Sequence, residues 1–329
     1  MHSSKPEGAP ENYQVAFHQR WQHVRNPHVR SLAWLLEAPD LLDVDAPCWQ
    51  GKIASLPAGA AQAADNWLRQ LDADPAALHA ALDVQRTTRL GRHAEKLLAW
   101  YFAHQGDLYA HGVQVRAGKD DTIGEFDFLL RQGEALLHWE FATKFYLLHT
   151  GESAPPGLQR SDYFVGPNLA DSLGAKMRKI LDRQLALGAH PAAQAYLPQA
   201  LQSAQALVKG WLFYRRGEQL PATELGISPR HCRGWWCSLD EMPSHVGSLC
   251  AVLPRLAWLA PARLAPDAGV PSAVMQAQLA RQFLSDSAPV MLVSLRGGGD
   301  CLLEAERGFV VPEDWQDRAD QRMLALGAV

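Results

Sequence analysis

The chain has 329 residues, 47% hydrophobic and 20% charged, which is enough apolar material for a large core and two lobes. A formal net charge of −4 does not favour bulk attraction to nucleic acid, so any such partner needs a local basic face. Met1–Gly8 has no apolar signal region, no apolar run is long enough to span a bilayer, and five scattered cysteines argue for free buried thiols; the expected compartment is the cytoplasm.

Residues 1–27, rich in Ser, Pro and Gly, predict a flexible leader. Residues 28–85 predict a helical N-terminal region that braces the rest. Val29, Leu32, Leu35 and Leu36 have helical spacing and stop at Pro39, a second helix covers Ala60–Leu71, and Asp74-Pro75 opens a third. Ala46–Gly59, broken by Pro47 and Pro57, is irregular.

Leu90, Ala94, Leu97, Leu98, Tyr101 and Phe102 form the buried stripe of a helix, with Glu95 on its edge. Leu108–Arg116 predicts a strand. Ile123–Leu130 predicts another, with Phe126, Phe128 and Leu130 on one face and Ile123, Glu125, Asp127 and Leu129 on the other. The polar turn Arg131–Glu134 leads at once into a further strand, which implies an antiparallel hairpin. That strand puts Glu140, Ala142, Lys144 and Tyr146 on one face and Phe141, Phe145 and Leu147 on the other.

His149–Asn168 is a long loop, in which Asp162–Asn168 either lines a substrate path or forms a packed connection. The next helix has the stripe Leu173, Met177, Ile180, Leu181 and Leu185. Lys176, Lys179 and Arg183 align on another side, as a phosphate track or as an ordinary solvated face, and Gln184 lies near the stripe. Ala204–Tyr214 is a strand covered on both faces, and a core of residues 86–216 ends after it.

Residues 217–329 read as a C-terminal α+β lobe. His231, Cys232 and Cys237 match no zinc spacing. A helix covers Val270–Leu284, the strands Val290–Leu295 and Leu302–Val311 join through a Gly-rich hairpin loop, and Trp315–Met323 is a last helix.

A buried ionised carboxylate is costly unless it is paired or holds a cation. Glu95, Asp127 and Glu140, from three neighbouring elements and with Lys144 beside them, suit a hard divalent ion that takes oxygen ligands. The plainer alternative is a solvated strand edge with a weak ion pair, and Glu125 reads as a solvent-facing neighbour.

This order of helix glutamate, strand aspartate, hairpin, then glutamate and lysine resembles the PD-(D/E)XK nuclease superfamily over about residues 86–215. From about Asn26 to Trp315 the chain resembles a bacterial family catalogued as domain of unknown function 1853, which is in turn identified with that nuclease-like superfamily. The resemblance implies an α/β (α+β) fold with a restriction-endonuclease-like core. It implies Mg²⁺ or Mn²⁺ on Asp127 and Glu140, Lys144 as the catalytic lysine and Glu95 as the auxiliary helix acid. It also implies hydrolysis of nucleic acid, DNA rather than RNA, with a homodimer as one way to cut both strands.

One position departs from the superfamily pattern. The lysine belongs two residues after Glu140, where Ala142 stands, and Lys144 lies roughly 7 Å further along the strand. Three readings follow: Lys144 reaches back, a lysine such as Lys176 substitutes, or the site is degenerate. A catalytically inactive scaffold that binds nucleic acid or a protein partner is the alternative function, and an interaction protein with no nucleic-acid role is a third.

Overall fold

The computed structural model describes residues 12–83, 86–119, 121–151, 159–218 and 225–327. Asn12 accepts hydrogen bonds from the Gln14 and Val15 amides and so starts α1 (Tyr13–Trp21). This corrects the expected flexible leader over residues 12–27. Phe17 and Trp21, one turn apart, are fully buried, and a ring nitrogen of His18 lies 3.0 Å from the Glu304 carbonyl oxygen. The part of that expectation covering residues 1–11 lies outside the described residues.

Asn26 caps α2 (Pro27–Glu37), whose first residue is proline, and the helix ends before Pro39. The single helix expected over Ala60–Leu71 is two, α3 (Ala60–Ala63) and α4 (Asp65–Ala73), parted at Ala64. Asp74 accepts the Ala76 amide at the start of α5 (Ala76–Leu82). The longest helix, α6 (Leu90–Gln105), stops at Gly106, whose φ of 83° is the left-handed conformation that glycine adopts without a Cβ penalty.

The strands are β1 (Leu108–Gly118), β2 (Asp121–Gln132), β3 (Ala135–Leu148), β4 (Phe164–Val165), β5 (Ser203–Tyr214), β6 (Cys232–Ser238), β7 (Leu249–Val252), β8 (Arg263–Leu264), β9 (Val270–Pro271), β10 (Val290–Gly297) and β11 (Leu302–Val311). They form one mixed sheet in the order β1-β2-β3-β5-β6-β11-β10-β7-β9, with β4 on β3 and β8 on β11. β1, β2 and β3 are an antiparallel meander, as the short Arg131–Glu134 turn requires. β5 then runs parallel to β3, β6 parallel to β5 and β11 parallel to β6. The far side, β11-β10-β7-β9, is antiparallel again.

The fold is therefore α+β, with helices before the meander and a C-terminal portion whose strands continue the same sheet. Parallel strands in the middle are buried on both faces, which accounts for the near-continuous apolar run of β5. Gly210 of β5 lies opposite Lys144 of β3, and a Cβ there would collide with the Lys144 carbonyl. On one face α6 lays Leu97, Leu98 and Phe102 against Phe128, Trp139 and Phe141.

On the other face Leu173, Met177 and Ile180 cover Ala142, Tyr146 and Val208. These come from α7 (Leu173–Lys179), which continues as a π-helical turn over Ile180–Gln184. Ahead of it, Asp162 is buried, accepts the Ser172 hydroxyl at 2.9 Å and pairs with Arg178 at 3.0 Å, so the described part of Asp162–Asn168 is a packed connection. Residues 152–158 of the expected long loop lie outside the described residues.

Towards the C-terminus, α8 (Met242–His245) and α9 (Ser272–Gln282) cover the β7–β10 side, and α10 (Trp315–Gly327) closes the chain. Val270 and Pro271, expected in a helix, belong to β9. Cys232, Cys237, Cys250 and Cys301 are free and buried as expected, whereas Cys48 is exposed. Among the described residues no helix is long and apolar enough to cross a membrane.

Candidate functional site

The β2–β3 ladder pairs Phe128 with Trp139 through to Gln132 with Ala135, and stops short of Asp127 and Glu140. There the strands part. The Phe141 amide donates not to a β2 carbonyl but to Asp127 Oδ2, at 2.9 Å. The alternation of β2 slips at the same place, since Phe126 packs with Leu129 and Leu136 while Phe128 and Leu130 join the α6 side. This corrects the expectation that Phe126, Phe128 and Leu130 share a face.

Three more acids meet Asp127 where the strands part. Glu95 comes from α6, with its Oε1 2.8 Å from His111 Nε2, and oxygens of Glu95, Glu125 and Asp127 all lie within 4.8 Å of one another. Glu125, expected to face solvent, is instead half-buried in this group. Glu140 is 1% exposed; its Oε1 lies 2.8 Å from His138 Nε2, and its Oε2 accepts the side-chain amide of Gln184. Gln184 Oε1 in turn accepts Lys176 Nζ at 3.2 Å.

Burial dominates the electrostatics here. It pushes the Asp127 carboxyl up to about 8, helped by the charges of Glu140, Glu95 and Glu125 and opposed by the Phe141 amide. Burial pushes Glu140 up to about 7, opposed first by the Lys176 charge and then by hydrogen bonding with Asp127. His138 is driven down to about 4 by burial, so it is neutral at pH 7 and contributes no compensating charge. The cluster is oxygen-rich, and its two nearest imidazoles are already engaged with Glu95 and Glu140, so the donor set fits a hard divalent ion.

Lys144, expected beside these carboxylates, is not among the residues that meet there. Its Nζ lies 2.7 Å from Asp171 Oδ2, an oxygen that also accepts the Tyr146 hydroxyl at 3.1 Å. The two residues face a small cavity of about 120 Å³ that adjoins the main cleft through Leu90, Gly91 and Arg255. The physical reason is the strand itself. Lys144 lies one same-face position beyond Ala142, and Asp171, just before α7, satisfies it first.

Lys179 and Arg183 do line the main opening. It is a cleft of about 890 Å³, bounded by the start of α6 with Arg89, Arg92 and Glu95, by Glu125 and Asp127 of β2, by Gln184, and by Arg255 from the C-terminal portion. Arg89, Arg92, Lys179 and Arg183 are exposed and pair with no carboxylate among the described residues. These cations make a local basic face, the feature that a nucleic-acid partner would need on a chain of net negative charge. Arg89, Arg92 and Arg255 escaped the sequence reading. Arg89 and Arg92 carry a faint signal, three residues apart at the start of the helix that presents Glu95, whereas Arg255 has none.

The family profile described as Domain of unknown function (DUF1853) matches residues 30–311, and the chain belongs to that family. No curated protein and no solved structure matches the chain.

Proposed function

We propose that this DUF1853 member is a divalent-cation-dependent phosphodiesterase acting on DNA, with Asp127 and Glu140 holding Mg²⁺ or Mn²⁺ and Glu95 and Glu125 beside them. The observation that carries the reading is the pairing of unlike charges in one cleft. Glu95, Glu125 and Asp127 gather at its floor with Glu140 buried behind Asp127, and Asp127 and Glu140 have raised pKa values. Arginines and a lysine that pair with no carboxylate among the described residues stand at its rim. The order of Glu95, Asp127 and Glu140, which resembles the PD-(D/E)XK superfamily, supports it. An ion held there would polarise a phosphoryl oxygen and acidify an attacking water. The protein's own part is to anchor Asp127 through the Phe141 amide and Glu140 through Gln184 and His138, and to hold the phosphate backbone at the rim.

Titration calorimetry with Mn²⁺ tests this on the wild type beside Asp127→Asn and Glu140→Gln, first alone and then with a short DNA duplex present. Saturable binding that both substitutions abolish, followed by Mn²⁺-dependent cleavage of single- or double-stranded DNA, is expected. No binding in either condition would sink the reading. A second reading is favoured by Ala142 and by the Lys144–Asp171 pair, namely a catalytically inactive scaffold that binds nucleic acid through the same rim. It expects DNA binding that survives Asp127→Asn, with no cleavage by the wild type.

A further inference from the structure

We infer that Lys176 of α7, and not Lys144 of β3, is the lysine that takes the reacting phosphate, with Gln184 holding it ready beside Glu140. The inference rests on the phosphodiesterase reading and names a residue that reading leaves open.

The two lysines differ in what they would have to give up. Lys144 is held by a carboxylate 2.7 Å away, and Tyr146 donates to the same oxygen. Turning it towards Glu140 would break a charge-assisted bond and leave Asp171 without its cation. Lys176 has a single neutral partner, the Gln184 amide oxygen at 3.2 Å, and no carboxylate partner among the described residues. Exchanging that amide oxygen for a phosphate oxygen replaces a neutral acceptor by an anionic one, so the exchange is downhill once a phosphodiester arrives.

Position favours Lys176 as well. Gln184 lines the cleft and bonds Glu140, so Lys176 stands directly behind the wall that a phosphate would touch. Its charge is the strongest opposing burial at Glu140, and it also acts on Asp127. Lys179 and Arg183 follow it at spacings of three and seven residues, and both line the cleft. A backbone tracked by Arg183 and Lys179 would therefore bring its next phosphate towards Lys176.

The experiment measures binding of a short labelled DNA duplex across a salt series with Ca²⁺, and then Mn²⁺-dependent cleavage. It uses the full chain as wild type, Lys176→Met, Lys176→Arg and Lys144→Met. For Lys176→Met we expect roughly ten-fold weaker binding and a salt slope smaller by about one. Its kcat is expected to fall about 100-fold, on the scale of losing one charge-stabilising group, with KM rising in step with the weaker binding. Lys176→Arg keeps the cation and should retain most of the binding, whereas Lys144→Met should bind within about two-fold of the wild type. If Lys176→Met binds and cleaves like the wild type, or Lys144→Met takes the loss instead, the inference is overturned while the phosphodiesterase reading stands. If the wild type neither binds DNA nor cleaves it, that reading fails and the inference falls with it.

Discussion

Glu304 of β11 and Asp127 of β2 are carboxylates of the same sheet, one on each side of its parallel centre, and their surroundings are opposite. Glu304 is fully buried and receives the Arg307 guanidinium at 2.6 and 2.8 Å and the Ala262 amide at 2.8 Å. Arg307 also donates to the Trp258 and Ala260 carbonyls and lies 4.1 Å from the centre of the Trp211 ring. Nearby, Arg30 donates to the Trp21, Val24 and Pro261 carbonyls. Each of these charges meets an opposite charge or several dipoles of the chain itself. Around Asp127, Glu95, Glu125 and Glu140 the chain supplies one amide, one glutamine, the imidazoles of His111 and His138, and a lysine held at one remove. A buried charge that meets an opposite charge of the chain is structural, whereas grouped carboxylates that lack one hold each other's protons on, as at Asp127.

The contrast can be broken by experiment. The largest effect is expected at the satisfied end: Glu304→Ala or Arg307→Ala strands its partner charge in the core and should lower the unfolding free energy by about 3–5 kcal/mol, read by urea denaturation. A loss below about 1 kcal/mol would show that the network is not what ties α1 and α2 to the sheet. Asp127→Asn should act with the opposite sign. It removes repulsion that the fold endures, so in the absence of divalent ions at pH 8 it should stabilise the protein by about 1–2 kcal/mol, the usual trade between stability and function.

The pH dependence sharpens the same point. Asp127 and Glu140 have folded pKa values raised from 3.8 to about 8 and from 4.5 to about 7. Between those limits each of the two binds more protons in the folded state than in the unfolded one, so the pair contributes stability that falls as pH rises from about 4 to about 8. His18, His93, His138 and His231, which burial drives down to about 4, act in the opposite sense. The fall is therefore read as the difference between thermal melts of the ion-free wild type and Asp127→Asn at pH 5 and pH 8, and saturating Mn²⁺ should flatten it. A slope unchanged in Asp127→Asn would separate it from this cluster. The smallest effects belong to the rim. Arg92→Ala and Lys179→Ala should each weaken DNA binding modestly and lower its salt slope by about one, with stability unaltered.

Much of this arrangement was legible along the chain because its signals are local. Period 3.6 over Leu90–Phe102, period 2 over Ile123–Leu130 and the short Arg131–Glu134 turn place Glu95, Asp127 and Glu140 on a helix and a hairpin, and α6, β2 and β3 are where those patterns put them. Local reading failed where the partner is remote. α1 is rich in polar residues, and what makes it structural is the burial of Phe17 and Trp21 under a strand nearly 300 residues away. Lys144 has the right face but the wrong neighbour, because Asp171 is distant in sequence and close in space.

The sequence alone determined which side chains are charged where a core wants apolar ones, and on which type of element each stands, since periodicity and turn chemistry act within a few residues. Only the tertiary structure decided which of those charges meet. It parted β2 from β3 at Asp127, turned Lys144 away, drew Glu125 in beside Glu95, and brought Arg255 from the far portion of the chain to the cleft. Those outcomes depend on strand register and on contacts between residues far apart in the chain, which short-range patterns do not encode.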